Sequence, residues 1–242
     1  MSAIKVGIVS IVVGALGCVA IVVTPSWFPV AAAVQATRQD DLYLALMFMS
    51  SFIMAIVTVF MLYSVWKWRA RPGDENRDGP PIHGNTTLEI VWTIIPFIIV
   101  VGFALAAGVV LVKNEETSKN ELVVVVTGQQ FAWTFTYPNG VVAHELVLEN
   151  NRPTEFKIRA LEFDVIHSFY VPQFRVKADA VPGQWNYTYA TPDRIGTYTV
   201  ICTELCGPGH SLMRAPVRVV SKADFAAWLT REKSQQTQQG GA

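Results

Sequence analysis

Cysteine is scarce in this sequence, three residues among 242, and only four histidines accompany it. Thiol chemistry is therefore confined to two places, Cys18 and the pair Cys202 and Cys206. No C-x-x-C-H occurs, which excludes a covalently attached c-type haem. Neither G-x-G-x-x-G nor a Walker loop is present, so phosphate-cradling chemistry has no support, and no internal repeat is visible. Charge of one sign is lacking too, because 19 basic residues balance 19 acidic ones. A neutral total gives no reason to expect a nucleic-acid partner, although it can hide segments of opposite charge.

What is abundant is apolar: 51% of the residues, with a positive mean hydropathy. Val6 to Val23 is 18 residues without a charge, Leu42 to Trp66 is 25 and Ile90 to Val112 is 23. Each approaches the roughly 20 apolar residues a helix needs to cross the hydrocarbon, so three spanning helices are expected. Lys5, the first run and Ala31-Ala-Ala33 also resemble a secretory signal, but the run exceeds the usual apolar core of about 7–15 residues, and it is read as a retained span. The loop Lys67 to Thr87 carries Lys67, Arg69, Arg71 and Arg77, against Arg38 alone between Thr24 and Asp41, so it is expected on the cytoplasmic side. Met1 then starts inside, and everything after Val112 lies outside. Trp66, Trp68 and Trp27 fall where interfacial aromatic belts belong.

From Glu121 the pattern changes to short β-branched and aromatic stretches parted by turn residues, the pattern of an all-β domain. The predicted strands are Leu122 to Thr127, Phe131 to Tyr137, Val142 to Leu148, Glu155 to Ala160, Trp185 to Tyr189 and Thr197 to Cys202. Their number suggests a Greek-key sandwich or barrel. Lys222 to Lys233 reads as an amphipathic helix capped by Ser221, with Phe225, Trp228 and Leu229 on one face, and the polar Ser234 to Ala242 as a disordered tail. The expected organisation is 1–41, first span and outer linker; 42–112, transmembrane hairpin; 113–233, outer β domain with its C-terminal helix; 234–242, tail.

The stretch Cys202-Thr-Glu-Leu-Cys-Gly-Pro-Gly-His-Ser-Leu-Met213 gathers two thiols, an imidazole and a thioether. A disulfide between Cys202 and Cys206 would close a very short loop and gain little stability. Soft and borderline ligands suit copper or zinc and do not suit calcium or magnesium. Two cysteines and two histidines would complete a tetrahedral zinc site, whereas the thioether of Met213 favours copper. His167, in Asp164-Val-Ile-His167-Ser-Phe, is the second histidine candidate; His144 lies in an alternating strand pattern and His83 in the basic loop. Cys18 reads as a small helix-packing residue, Ala15 being a poor match to the start of a lipobox.

H-S-F followed by C-x-E-x-C-x-x-x-H-x-x-M resembles the dinuclear copper (CuA) site of subunit II of haem–copper cytochrome oxidases. The match extends through Val176-Lys-Ala-Asp-Ala-Val-Pro-Gly183 to the membrane hairpin, covering Leu42 to Leu229. The resemblance implies a helical membrane anchor followed by a cupredoxin-like Greek-key β domain. It implies that Cys202 and Cys206 bridge two copper ions, His167 and Met213 completing the ligands of one and His210 those of the other. By the same resemblance the Glu204 carbonyl touches copper, and its carboxylate helps hold a magnesium shared with subunit I. Leu88-Glu-Ile-Val-Trp-Thr-Ile-Ile-Pro96 resembles the start of the family's second conserved span, where Glu89 would serve the mouth of a proton-uptake path; Glu89 equally suits a helix N-terminus as a plain interfacial charge.

The implied function is subunit II of an aerobic terminal oxidase in a bacterial-type cytoplasmic membrane, the copper domain on the periplasmic side. It would take electrons from cytochrome c, or another c-type or copper donor, and pass them to the haems of subunit I, which with copper B reduces oxygen coupled to proton translocation; subunit III and lipid are further expected partners. The alternatives are a copper-holding structural or copper-delivery membrane protein, which would not need Glu89 and Glu204, and a quinol oxidase subunit, which would lack the copper ligands. The sequence departs from the family at Gly128-Gln-Gln-Phe131-Ala132-Trp133, where Phe131 replaces the tryptophan that receives electrons and Ala132 the tyrosine. Phe131 and Trp133 are thus the candidates for electron arrival. The extra first span is a second departure. Glu145, Glu149, Asp164 and Asp179 are candidate acids for docking a basic cytochrome.

Overall fold

The computed structural model describes residues 3–24, 27–73, 79, 81 and 83–240; Met1, Arg77 and Ala242 lie outside the described residues. The chain divides into two compact units, residues 1–27 with 41–108 and residues 28–40 with 109–242.

In the helical unit the apolar runs become α1 (Ala3–Val23), α2 (Val34–Lys67) and α3 (Thr86–Asn114), each long and apolar enough to cross a membrane. Small residues let α1 and α2 approach closely. A Cβ added at Gly14 would fall 2.6 Å from Phe52 Cδ1, and one at Gly17 would fall 2.1 Å from Ser51 Oγ. Ser51 Oγ donates to the Gly14 carbonyl at 3.1 Å. Cys18 packs in the same contact, its Sγ 3.9 Å from the Phe48 carbonyl. Asn85 caps α3 by accepting the Leu88 N–H at 3.1 Å, which places Glu89 in the first turn. No residue of α3 is buried within this chain, an apolar surface suited to lipid or neighbouring spans.

The second unit is a β sandwich. Its strands are β1 (Leu122–Gln129), β2 (Ala132–Thr136), β3 (Val142–Ala143), β4 (Leu146–Glu149), β5 (Thr154–Ala160), β6 (His167–Val171), β7 (Val176–Ala180), β8 (Asn186–Ala190), β9 (Gly196–Cys202) and β10 (Arg214–Val220). Two five-stranded sheets result, in the orders β3-β2-β1-β5-β8 and β4-β10-β9-β6-β7. Alternation drives it: Leu122, Val124 and Val126 point inward from β1 and meet Trp133, Phe135, Phe156 and Phe169 in one core. Arg175, in a left-handed conformation with φ 57°, forms a two-pronged ion pair with Asp40, Nε to Oδ1 and Nη2 to Oδ2 both at 2.9 Å. It thereby fastens residues 28–40 to the sandwich.

Four expectations are corrected. Residues 34–41 are not linker but the first two turns of α2, held by Gln35 Oε1 accepting the Thr191 N–H at 2.8 Å. The strand expected over Val142 to Leu148 splits at His144, because the chain leaves β2 and crosses to pair Leu146 with Val217 in the other sheet. β6, β7 and β10 escape the strand pattern: β6 is buried on both faces and does not alternate, β7 carries Lys177 and Asp179, and β10 contains Pro216. Finally, α4 runs Lys222–Gly240, so residues expected in a disordered tail are helical. Gln236 holds those turns down, its Nε2 donating to the Val142 carbonyl at 2.6 Å and its Oε1 accepting the Val142 N–H at 3.2 Å.

Candidate metal centre

The ligand candidates come from two chain segments that sheet register brings together. β6 pairs antiparallel with β9 so that Phe169 faces Cys202, which sets His167 beside the end of β9. The turn from β9 to β10 then folds back, closed at its neck by the Cys202 N–H donating to the Met213 carbonyl at 3.1 Å. Inside it Gly207 takes φ 127°, a conformation rarely open to other residues, and the His210 N–H reaches the Gly207 carbonyl.

The result is a tight cluster. Donor atoms of His167, Cys202 and Cys206 lie within 4.8 Å of one another. The two Sγ atoms are 3.9 Å apart, roughly twice a disulfide bond length, and both thiols are free. Cys206 Sγ lies 3.5 Å from His210 Nδ1 and 3.8 Å from Met213 Sδ. The Glu204 carbonyl sits 3.3 Å from Cys202 Sγ. All six predicted ligand residues therefore converge.

The fit to a metal is decided by His167. It is fully buried, and neither ring nitrogen has a hydrogen-bond partner among the described residues. Nε2 faces Asp164 Oδ2 at 3.5 Å, a long polar contact short of a full hydrogen bond. A buried polar atom left without a partner costs about 1–3 kcal/mol, which a coordinated ion would remove. Burial, and after it the neighbouring Cys202, pushes the Cys206 thiol up to about 11, so an ion that binds there displaces protons. Burial also pushes Asp164 up, yet the Val165 and Gln130 N–H groups together with His167 outweigh it and hold the carboxyl below its ordinary range. Thiolates, imidazoles and a thioether form a soft set, unsuited to calcium or magnesium.

The two aromatic candidates separate. Trp133 is 1% exposed and lies edge-on to His167 and Phe169, a core residue. Phe131 is 37% exposed and its ring covers Gly207 and Gly209 of the ligand turn. Glu89 lies in the helical unit, exposed at the start of α3. The four candidate docking acids all have partners within the chain: Glu145 with Arg218 and Trp228, Glu149 with Arg152, Asp164 with Gln130, and Asp179 with Ser168. The sequence pattern does not single out Gln130, whose side chain reaches the Cys206 carbonyl, or Gly209; for Gly209 alone the spacing Gly207-Pro-Gly209 before His210 was an available signal.

Residues 140–220 match the family described as cytochrome c oxidase subunit II, periplasmic domain, and residues 19–107 match its transmembrane domain. A cytochrome c oxidase subunit 2 of Synechocystis sp. is 30% identical, the match spanning 83% of this chain and 74% of the relative. The chain belongs to the cytochrome c oxidase subunit II family. The subunit 2 of Thermostichus vulcanus, also 30% identical, spans 85% of this chain and 78% of the relative. Among solved structures, the periplasmic domain of subunit II from Bradyrhizobium japonicum is 30% identical, with a TM-score of 0.46, over 50% of this chain and 99% of that one. As a subunit II, the chain is a membrane-anchored component of an oxidoreductase complex, with its cupredoxin-like β unit outside the cytoplasm.

Proposed function

We propose that this chain accepts electrons from a c-type cytochrome or small copper protein and delivers them to the haem-bearing subunit I of a terminal oxidase. Two copper ions held by Cys202, Cys206, His167, His210, Met213 and the Glu204 carbonyl would supply one-electron exchange. The convergence of these six residues around a partnerless buried imidazole carries the reading. Met213, fully buried with its sulfur against Cys206, favours copper over zinc.

The chain's own part is mechanical and dielectric. β6 and the β9–β10 turn are backed by the sandwich core, so the donor atoms are held in place whatever the charge at the centre. Burial of His167, Cys202, Cys206 and Met213 excludes water. Phe131 is the arrival point for electrons, being the aromatic that is both exposed and in contact with the ligand turn. Phe163, close in sequence to His167, and Leu205 and Leu212 of the ligand turn are 99%, 81% and 80% exposed, apolar side chains suited to protein partners. Exposed Glu204 is left for a magnesium held jointly with subunit I, and Glu89 for proton uptake. With three spans and the basic loop from Lys67 inside, the copper end would face the donor side of the membrane, and subunit III is a further partner.

The test is purification of the full-length chain with its native partners. About two coppers per chain, a mixed-valence copper EPR signal and a co-purifying haem protein are expected. One zinc per chain without that signal would overturn the reading.

A further inference from the structure

The end of β1 and the turn that leads to β2 reach both halves of the ligand set. On one side, a Cβ added at Gly128 would meet His167 Cδ2 and Trp133 Cζ3, both at 3.1 Å. On the other, Gln130 Nε2 donates to the Cys206 carbonyl at 2.5 Å. The Gln130 backbone N–H meanwhile donates to Asp164 Oδ2 at 2.8 Å, the oxygen that faces His167 Nε2 at 3.5 Å. One residue thus joins supports of ligands separated by 39 positions, from 167 to 206.

The ligand turn has few other holds. Its internal backbone bonds run from His210 to Gly207, from Leu212 to Gly209 and from Met213 to His210, Cys202 closes the neck onto Met213, and Thr203 is held from outside by the Ser168 carbonyl. Between Thr203 and Gly207 the side-chain hydrogen bond from the body of the sandwich, among the described residues, comes from Gln130. Only a donor serves there, because a carbonyl oxygen can accept and cannot give a proton.

We propose that Gln130 is a positioning residue of the metal centre. Its side-chain amide fixes the Cys206 carbonyl and its backbone N–H fixes Asp164 beside His167, so that ligands from β6 and from the β9–β10 turn keep one spacing. The assignment rests on reading the cluster as a copper site. Support of this kind, outside the ligands themselves, orients metal donors and tunes the ion they hold.

Gln130→Glu keeps the shape and replaces the donor by an acceptor; Gln130→Met keeps the length without polarity and guards against a charge effect. In the metal-free full-length chain in detergent, iodoacetamide should label Cys206 about fivefold faster in both variants, the population gain expected when one neutral hydrogen bond is lost. After loading with copper, the variants should show an altered hyperfine pattern and faster copper loss, while the metal-free chain keeps its melting temperature, which a general loosening would not give. Labelling within twofold of wild type, with an identical EPR signal, overturns the assignment and leaves the copper reading standing. If wild type takes up no copper, the copper reading falls, and the labelling rates still decide whether Gln130 holds the turn.

Discussion

Two polar clusters share the β unit, and the chain completes one of them and leaves the other open. Tyr137 Oη donates to the Val147 carbonyl at 3.0 Å and accepts its N–H at 2.7 Å. Glu145 accepts from Arg218 Nη2 at 2.8 Å, Arg218 Nε at 3.1 Å and Trp228 Nε1 at 3.1 Å, which docks α4 on β4 and β10. Around His167, by contrast, both ring nitrogens lack a partner among the described residues, and the nearby sulfurs meet one another only at 3.8–3.9 Å. A cluster that closes its own hydrogen bonds is structural. One that gathers donors of a single sort at cost to the fold is waiting for an ion.

The comparison breaks most sharply at the ligands. Cys206→Ser should abolish the mixed-valence copper signal and lower oxidase turnover by more than the roughly 100-fold that loss of an outer-shell partner costs. Glu145→Gln, in the completed cluster, should leave copper content at the wild-type value. Copper analysis and EPR on both variants check the pair, and equal copper losses would erase the distinction.

Gly209→Ala ranks next. Gly209 has φ −90°, open to any residue, so the backbone would not object. A Cβ there, however, falls 2.4 Å from Phe131 Cδ2, and a packed ring must move. Overpacking of this kind costs about 1–3 kcal/mol. The double variant Gly209→Ala with Phe131→Ala should recover most of it in denaturant melts relative to Phe131→Ala alone, because the three atoms nearest the added Cβ all belong to that ring.

Tyr137→Phe tests the completed cluster. It strips both partners from Val147 and should cost about 1–3 kcal/mol of stability. Burial raises the Tyr137 hydroxyl well above its ordinary value of 10.0. The folded state therefore binds this proton more tightly than the unfolded one, and its stabilisation is complete below pH 10.0 and is lost as pH rises further. Melts above that pH should fall more steeply in wild type than in Tyr137→Phe.

Legibility in the sequence followed the physics of each region. The spans and the ligand motif were readable because both are local: unbroken apolar runs in one case, fixed spacing over twelve residues in the other. His167 was reached through its motif, although its approach to Cys202 depends on the β6–β9 register, a long-range fact. β10 was hidden by Pro216, and β6 by burial on both faces, where alternation vanishes. Gln130 could not be read at all, since its role depends on a carbonyl 76 residues away. Of the four candidate acids, Glu145 and Asp164 have partners remote in sequence, Arg218 and Gln130, which no local pattern shows, whereas Arg152 lies only three residues from Glu149.

The smallest effect lies at the end of α4, where polar composition suggested disorder and side-chain pairing supplied order. Glutamine is a good helix former, but an exposed terminal turn has little packing to hold it. Gln236 provides a substitute by pairing its amide with both backbone groups of Val142 on β3, the edge strand of its sheet. This arrangement also covers an edge that would otherwise be open to another chain. Gln236→Ala should therefore cost only about 0.5–1.5 kcal/mol globally while raising amide exchange locally, in the last turns of α4 and at Val142 together. Faster exchange in the helix alone would mean that the edge strand holds itself and that the pairing is incidental. Copper content should not change, because this end of the sandwich is closed by the chain itself.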